Sequence, residues 1–563
     1  MILSTLILIK VSLLASLLTL TLVRYWLIRR KNDRARRWLE LVAVPLLVLA
    51  VLSFFRFGDY VRGRFLNYHD VYHYYFGSKY SEELGYEKMY FCTLVALDEI
   101  DPRLHKRIGS IRNLADYSTK SKKWYLAHRD QCTSGFSPER WAAFKADLQA
   151  FRQDRRLDWR RMLNDKGYNP TPIWNSVARF WSSRIPVTPA SSFNLLGVFD
   201  LVLVGGALLL SWWAFGWWGF AAGLIYFGGC YELHHTHIRG GFLRHDWLAG
   251  LLAVPALLRK GRPRLAGLAL AYAAGVRVFP ALFFFGPGFL LLYRWLRTRR
   301  PPRQLIEFAA AFTAGVVLLF AGSVADDGGL GRWREFAGKI GLHSEDISTT
   351  RVGLKYLLVY RGETSPLEMR GPDGRGGFRP GFVTWKNQIY KDLLPLRLLL
   401  IVGVMLLLAR AFRRLEPEEA FVFSFPLLFF FQSPTFYYWV VLLGAVPLLA
   451  SGSHRRRDLA LLTALLVANG LVYLIQAKVR FDLLLHLVYS VDLAALMLFS
   501  LGVLYWADRR DPRPLPALAV QAAALEGGPA PALAPAPALA PTSAPAPAAA
   551  RPEKPARRGR RAR

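Results

Sequence analysis

The stretch FLRHDWLAGLLAVPALLRKGRPRLAGLALAYAAGVRVFPALFFFGPGFLLLYRWLRTRR, residues 242–300, decides the fold. It alternates three apolar runs, 246–258, 265–277 and 279–296, with the basic clusters RKGRPR and RTRR. Apolar runs punctuated by Lys and Arg are the pattern of membrane helices joined by cytoplasmic turns. Working outward, further apolar runs lie at 3–23, 39–57, 193–214, 216–232, 306–323, 393–409, 419–432, 435–451, 459–477 and 483–506. The sequence therefore predicts an all-α polytopic membrane protein with about thirteen membrane helices. The runs 246–258 and 265–277 are too short to cross a hydrocarbon core of about 30 Å, so they are expected as short helices buried in protein.

Charge sets the orientation. The chain carries 73 Lys and Arg against 40 Asp and Glu, a formal net charge of +33. The clusters after residues 23, 258, 296, 409, 454 and 508 all fall on one side of the predicted bundle, which makes that side cytoplasmic and argues against a nucleic-acid partner. An odd number of spans then puts the N-terminus outside and the C-terminus in the cytoplasm. The first run has no basic leader or small-residue cleavage site and carries Lys10, so it reads as a retained helix. A content of 53% hydrophobic residues with only three cysteines excludes a disordered chain and a disulfide-dense scaffold.

Three parts follow. Residues 1–38 are an extra helix with a basic turn, 39–510 the membrane domain, and 511–563 a disordered Ala/Pro-rich basic cytoplasmic tail. Two long loops, about 58–192 and 324–392, face outward. The first is large and helical, and its SPERWAAFKADLQAF stretch reads as an amphipathic helix on the membrane surface. Cys92 and Cys132 both lie in this loop and are the expected disulfide, while Cys230 falls inside an apolar run.

Candidate chemistry gathers on the outer side. In NYHDVYHYYFGSKY, Asp70 is a candidate general base beside His69, Tyr72, His73 and Tyr75, a surface suited to a sugar. The connector YELHHTHIRGGFLRHDW offers His237, His245 and Asp246 as further substrate contacts. Its Arg239 and Arg244, around Gly240-Gly241, present cations to an anion. The histidines match no recognised metal-ligand spacing, so no metal is favoured and no cofactor is expected. Arg277 interrupts an apolar run three residues before Pro280, where a charge marks a functional site able to reach a lipid phosphate. The second outer loop adds His343 as a second candidate base, with Glu345, Asp346, Arg351 and Lys355 nearby.

The order of HDVYHYY, then FLRHDWLAGLLAVPALLRKGRPRLAGLALAYAAGVRVFPALFFF, then WREFAGKIGLH resembles the GT-C superfamily of integral membrane glycosyltransferases. Within it the chain is most similar to glycosyltransferase family 87, the polyprenyl-phosphate-mannose-dependent mannosyltransferases. The resemblance spans roughly residues 39–500. It implies a GT-C-like bundle in a bacterial inner membrane, a polyprenyl-phosphate sugar donor used on the outer face, and inverting transfer of a hexose such as mannose to a lipid-linked or cell-envelope acceptor. It also implies an essential outer-loop acid, which falls on Asp70. The family commonly has Lys where this chain has Arg277, and lacks the Cys-containing insert at about 86–185. The competing expectations are a transporter or flippase, or a ligase, for lipid-linked glycans.

Overall fold

The computed structural model describes residues 3–59, 65–106, 108–152, 157–234, 239–300, 302–326, 328–369 and 378–510. The tail expected from 511 lies outside the described residues. Among the described residues the regular structure is helical apart from a two-stranded hairpin within the 58–192 loop, in which Ser110–Arg112 pairs antiparallel with Thr119–Ser121, and an isolated bridge between Arg351 and Thr435.

Eight helices among the described residues are long and apolar enough to cross a membrane, where the sequence predicts about thirteen spans. Part of the difference is a matter of continuity. The runs 193–214 and 216–232 are carried on one continuous apolar segment, Ala190–Gly229. That segment doubles back at Gly216, whose φ of 73° suits a residue without a Cβ. In a straight helix Leu208 and Gly223 would stand about 22 Å apart at 1.5 Å per residue. Here a Cβ at Gly223 would lie 3.7 Å from Leu208 Cδ2, and Trp212 stacks on Phe220 at 5.6 Å.

The remaining difference is real shortness. Residues 246–277 form Asp246–Arg259 and Pro263–Arg277, and 419–432 breaks into Pro417–Val422 and Pro426–Phe431. Most residues of these four helices are buried, so their ends find protein partners instead of lipid. The run 435–451 is a 3₁₀ stretch, Phe436–Gly444, continued by Ala445–Ser451.

The basic connectors converge at one end of the bundle. Arg259 pairs with Glu418 at 3.2 Å, and Arg457 pairs with Asp458 at 2.7 Å and also with Glu419. Arg24 donates to Ser453 at 3.4 Å, and Arg294 to the Leu415 carbonyl at 2.9 Å. Lys10 is buried and donates from Nζ to the Gly228 carbonyl at 2.6 Å, which ties the first helix to the Ala190–Gly229 segment.

The first outer loop folds around an aromatic core. The Pro138–Arg152 helix was expected on a membrane surface, but Phe144, Leu148 and Phe151 are wholly buried. Phe144 meets the Tyr80 ring at 4.9 Å and Phe151 the Phe76 ring at 5.3 Å, so the apolar stripe faces protein. Cys92, on the Met89–Ile100 helix, is disulfide-bonded to Cys132 with Cα atoms 5.4 Å apart. The bridge closes a sequence separation of 40 residues, worth roughly 4 kcal/mol in loop-entropy terms. Intact protein is expected to resist alkylation at both positions until reduced, and Cys92→Ser should lower the unfolding midpoint of the outer domain. Full alkylation without reductant would exclude the bridge.

Candidate active site at the outer edge of the bundle

Asp70 is positioned by two chain crossings. Asn67 caps the Tyr68–Val71 turn, its side chain accepting from the Asp70 N–H, and its own N–H donates to the Gly240 carbonyl at 2.9 Å. A Cβ at Gly240, whose φ is 63°, would overlap the Phe65 carbonyl, so only glycine lets the 239–246 connector lie against this segment. Asp70 and Arg244 form an ion pair at 3.5 Å, with side chains 13% and 11% exposed. Asp70 Oδ2 is buried without a hydrogen-bond partner among the described residues.

The residues after Asp70 form a π-helix, Tyr72–Phe76, and this changes which side chain meets the site. Tyr72, His73 and Tyr75, expected as sugar contacts, are buried. Tyr72 bonds Thr93 at 2.7 Å, His73 Nε2 bonds the Tyr90 hydroxyl at 2.7 Å, and Tyr75 donates to the Ile185 carbonyl at 2.8 Å. Their geometry is that of a scaffold. Tyr74, which the sequence reading passed over, is the residue that reaches the arginines. Its hydroxyl accepts from Arg244 and, at 3.3 Å, from Arg277. Arg244 also donates to Tyr437 at 3.0 Å. Burial opposes the charge on Arg244, but Asp70 together with Tyr74, Tyr437 and Tyr438 outweighs it and holds the guanidinium pKa above its ordinary value.

His69 sits at the rim, 2.9 Å from Asp165. Burial would raise the Asp165 carboxyl, yet the hydrogen bond to His69 and the charges of His73 and His69 hold it well below the usual carboxylate range. The three groups bring possible metal-ligand atoms within 4.8 Å of one another. Both ring nitrogens of His73 are already engaged, by the His69 carbonyl and Tyr90, which leaves too few donors for a metal.

Asp200, a lone acid in an apolar run, organises the connector from below. It accepts from the backbone N–H of Arg244 and of His245 and bonds His245 Nδ1 at 3.0 Å. Asp246 bonds the Tyr272 hydroxyl at 2.9 Å and the Trp247 N–H, so both residues expected as substrate contacts brace the connector. Arg239 stands apart from Arg244 and Arg277: it donates to the Leu233 carbonyl at 2.7 Å and lies over Phe54. It lines a separate small apolar cavity, so its geometry does not support the expected phosphate role. His237 lies outside the described residues.

Arg277 opens onto a cavity of about 560 Å³ that it shares with Arg351, Lys355, Lys391 and Arg397. One carboxylate, Glu345, faces these five cations. Arg351 donates to the His343 carbonyl and Lys355 to the Ser344 carbonyl, so the second outer loop is folded by its own cations. Burial, then Arg351, lower Lys355 to about 8. A pocket in which cations depress one another suits an anion. His343 lines it too, with its pKa lowered to about 3 by burial and then by Arg351, Lys166 and Lys339, which makes it a weak base.

No protein-family model matches the chain, and neither the curated proteins nor the solved structures contain a match.

The His343 shift has a sign that can be measured. Its ordinary value is 6.5 and its folded value about 3, so between these only the unfolded chain takes up the proton. Stability due to this group therefore rises with pH across that window and is flat above it. His343→Gln should flatten the dependence of the unfolding midpoint on pH within the window by up to one proton. An unchanged slope would show that His343 protonates freely in the fold.

Proposed function

We propose that this protein is a GT-C-like membrane glycosyltransferase that moves one hexose, mannose in the first instance, from a polyprenyl phosphate to a hydroxyl of a lipid-linked or cell-envelope acceptor. The observation that carries the reading is the cationic cavity at one edge of the membrane helices, joined through Arg277, Tyr74 and Arg244 to a largely buried carboxylate, Asp70. A lipid phosphate presents its charge at this depth while its chain stays in the bilayer. Arg277 and Arg351 have the planar donors that bind phosphate by paired hydrogen bonds.

Transfer is a single displacement. The acceptor oxygen attacks the anomeric carbon as the bond from that carbon to the phosphate oxygen breaks, the leaving phosphate takes the electron pair, and the acceptor proton passes to Asp70. Arg244 pairs with Oδ1 of Asp70, and Oδ2 is the oxygen free to accept. The configuration inverts because attack and departure are on opposite faces. The cations neutralise charge that grows on the leaving phosphate.

The bundle end that gathers Arg24, Arg259, Arg294 and Arg457 is the cytoplasmic one on this reading, and the catalytic edge faces outward in a bacterial inner membrane. In a Cys230→Ser background, Lys123→Cys should label from outside and His454→Cys only after permeabilisation. The reverse pattern would overturn the orientation.

Purified protein incubated with polyprenyl-phosphate-mannose and envelope lipids should yield products heavier by one hexose in mass spectrometry. Asp70→Asn should lower turnover by about a hundredfold or more at unchanged donor affinity, since a positioned base contributes about 10²–10⁴-fold. Retention of more than about a tenth of turnover, a loss below about 1.4 kcal/mol, would place the base elsewhere. Arg277→Ala should weaken donor use and Arg277→Lys restore part of it.

A further inference from the structure

Beside the cationic cavity lies a second and larger one, about 1410 Å³, built between the first outer loop and the second. It exceeds the roughly 300–1,000 Å³ typical of sites for compact ligands, which points to an extended occupant. Its walls mix polar and apolar surface, with Ser110, Ser118, Thr119 and Asn164 on one side and Thr384 and Asn387 on the other. Tyr117 and Phe378 supply aromatic surface.

The charge balance separates the two cavities. The smaller sets five cations against one carboxylate. The larger carries Arg112, Arg160, Arg161, Lys166 and Arg379. Asp116, Asp158, Glu345 and Asp346 face them, and Lys166 is paired with Asp346. Cations so matched by carboxylates do not select a polyanion. They do offer donors and acceptors in alternation, which is what a chain of hydroxyl groups requires.

The cavities meet at Glu345 and Asn387, which line both, and the Asn387 side chain donates to the Glu345 carbonyl at 2.5 Å. Tyr117 spans the same boundary. It lies in the larger cavity, its hydroxyl is 3.5 Å from His343 Nδ1 in the smaller one, and its backbone is held at φ 61°. A bulky residue kept in the left-handed region is strained unless its surroundings fix it, and such residues gather at ligand sites.

We infer that the larger cavity binds a neutral, hydroxyl-rich oligosaccharide several sugars long, with its growing end directed past Tyr117 toward the cationic cavity. Identifying this chain as the acceptor rests on the transferase reading above; the binding site itself does not.

The test is equilibrium binding to the full-length protein in lipid nanodiscs, with no donor present. The probes are fluorescent linear manno- and gluco-oligosaccharides of increasing length, with hyaluronan oligosaccharides as the anionic control. At least one neutral series should bind with affinity that rises over several sugars and is insensitive to salt, because no net charge is neutralised. Thr384→Trp, which fills the cavity from an exposed helical position, should weaken binding by about tenfold or more, and so should the pair Arg160→Ala, Arg161→Ala.

Binding by neither neutral series, equal binding by the variants and wild type, or binding confined to hyaluronan and lost with salt would each overturn the inference. Neutral-glycan binding without any hexose transfer would sink the transferase reading alone. Transfer to lipid acceptors with no oligosaccharide binding would sink this inference alone.

Discussion

Two largely buried guanidinium groups share one phenol, and one edge of the bundle is arranged around that fact. Arg244 and Arg277 both reach the Tyr74 hydroxyl, which repels neither but neutralises neither. Placing charge in a poorly solvated site costs several kcal/mol unless a partner is supplied. Arg244 has Asp70, and its backbone is held by Asp200. Arg277 instead faces a cavity with further cations. The electrostatic imbalance is local, and an anionic group, the lipid phosphate of the proposed function, would correct it.

The membrane-spanning organisation is readable from the sequence because a hydrocarbon core imposes a length and forbids unpaired backbone groups. Long runs such as 306–323 appear as single helices, here Arg303–Asp326. Shorter runs are less legible. A buried helix in protein and a lipid-facing one have the same composition, so 419–432 reads as one span although it is two short helices. Lys10 was a visible signal of helix packing, since a lysine amid apolar residues needs a carbonyl such as that of Gly228.

The site was legible in its charges and not in its rotations. Arg244 and Arg277 stand out in sequence as charged residue types at the ends of apolar runs and Asp70 as an acid among aromatic and imidazole neighbours, and the structure brings the three together. Tyr74 did not, because a π-helix changes which of five consecutive aromatic or imidazole side chains turns toward the arginines. Asp200 was hidden inside an apolar run, where a lone carboxylate could have been flagged as a group in need of partners. Lys391 and Arg397 join Arg277 only through tertiary folding, across more than a hundred residues, and no local pattern records that approach.

The central claim is that the cationic cavity binds the phosphate of a lipid and not merely its chain. The direct measurement is equilibrium binding of a short-chain polyprenyl monophosphate and of the matching uncharged polyprenol to purified protein, wild type and Arg351→Ala. The phosphate should bind at least about tenfold more tightly than the alcohol, a difference of about 1.4 kcal/mol, and Arg351→Ala should reduce that preference. Equal affinity for phosphate and alcohol would contradict it.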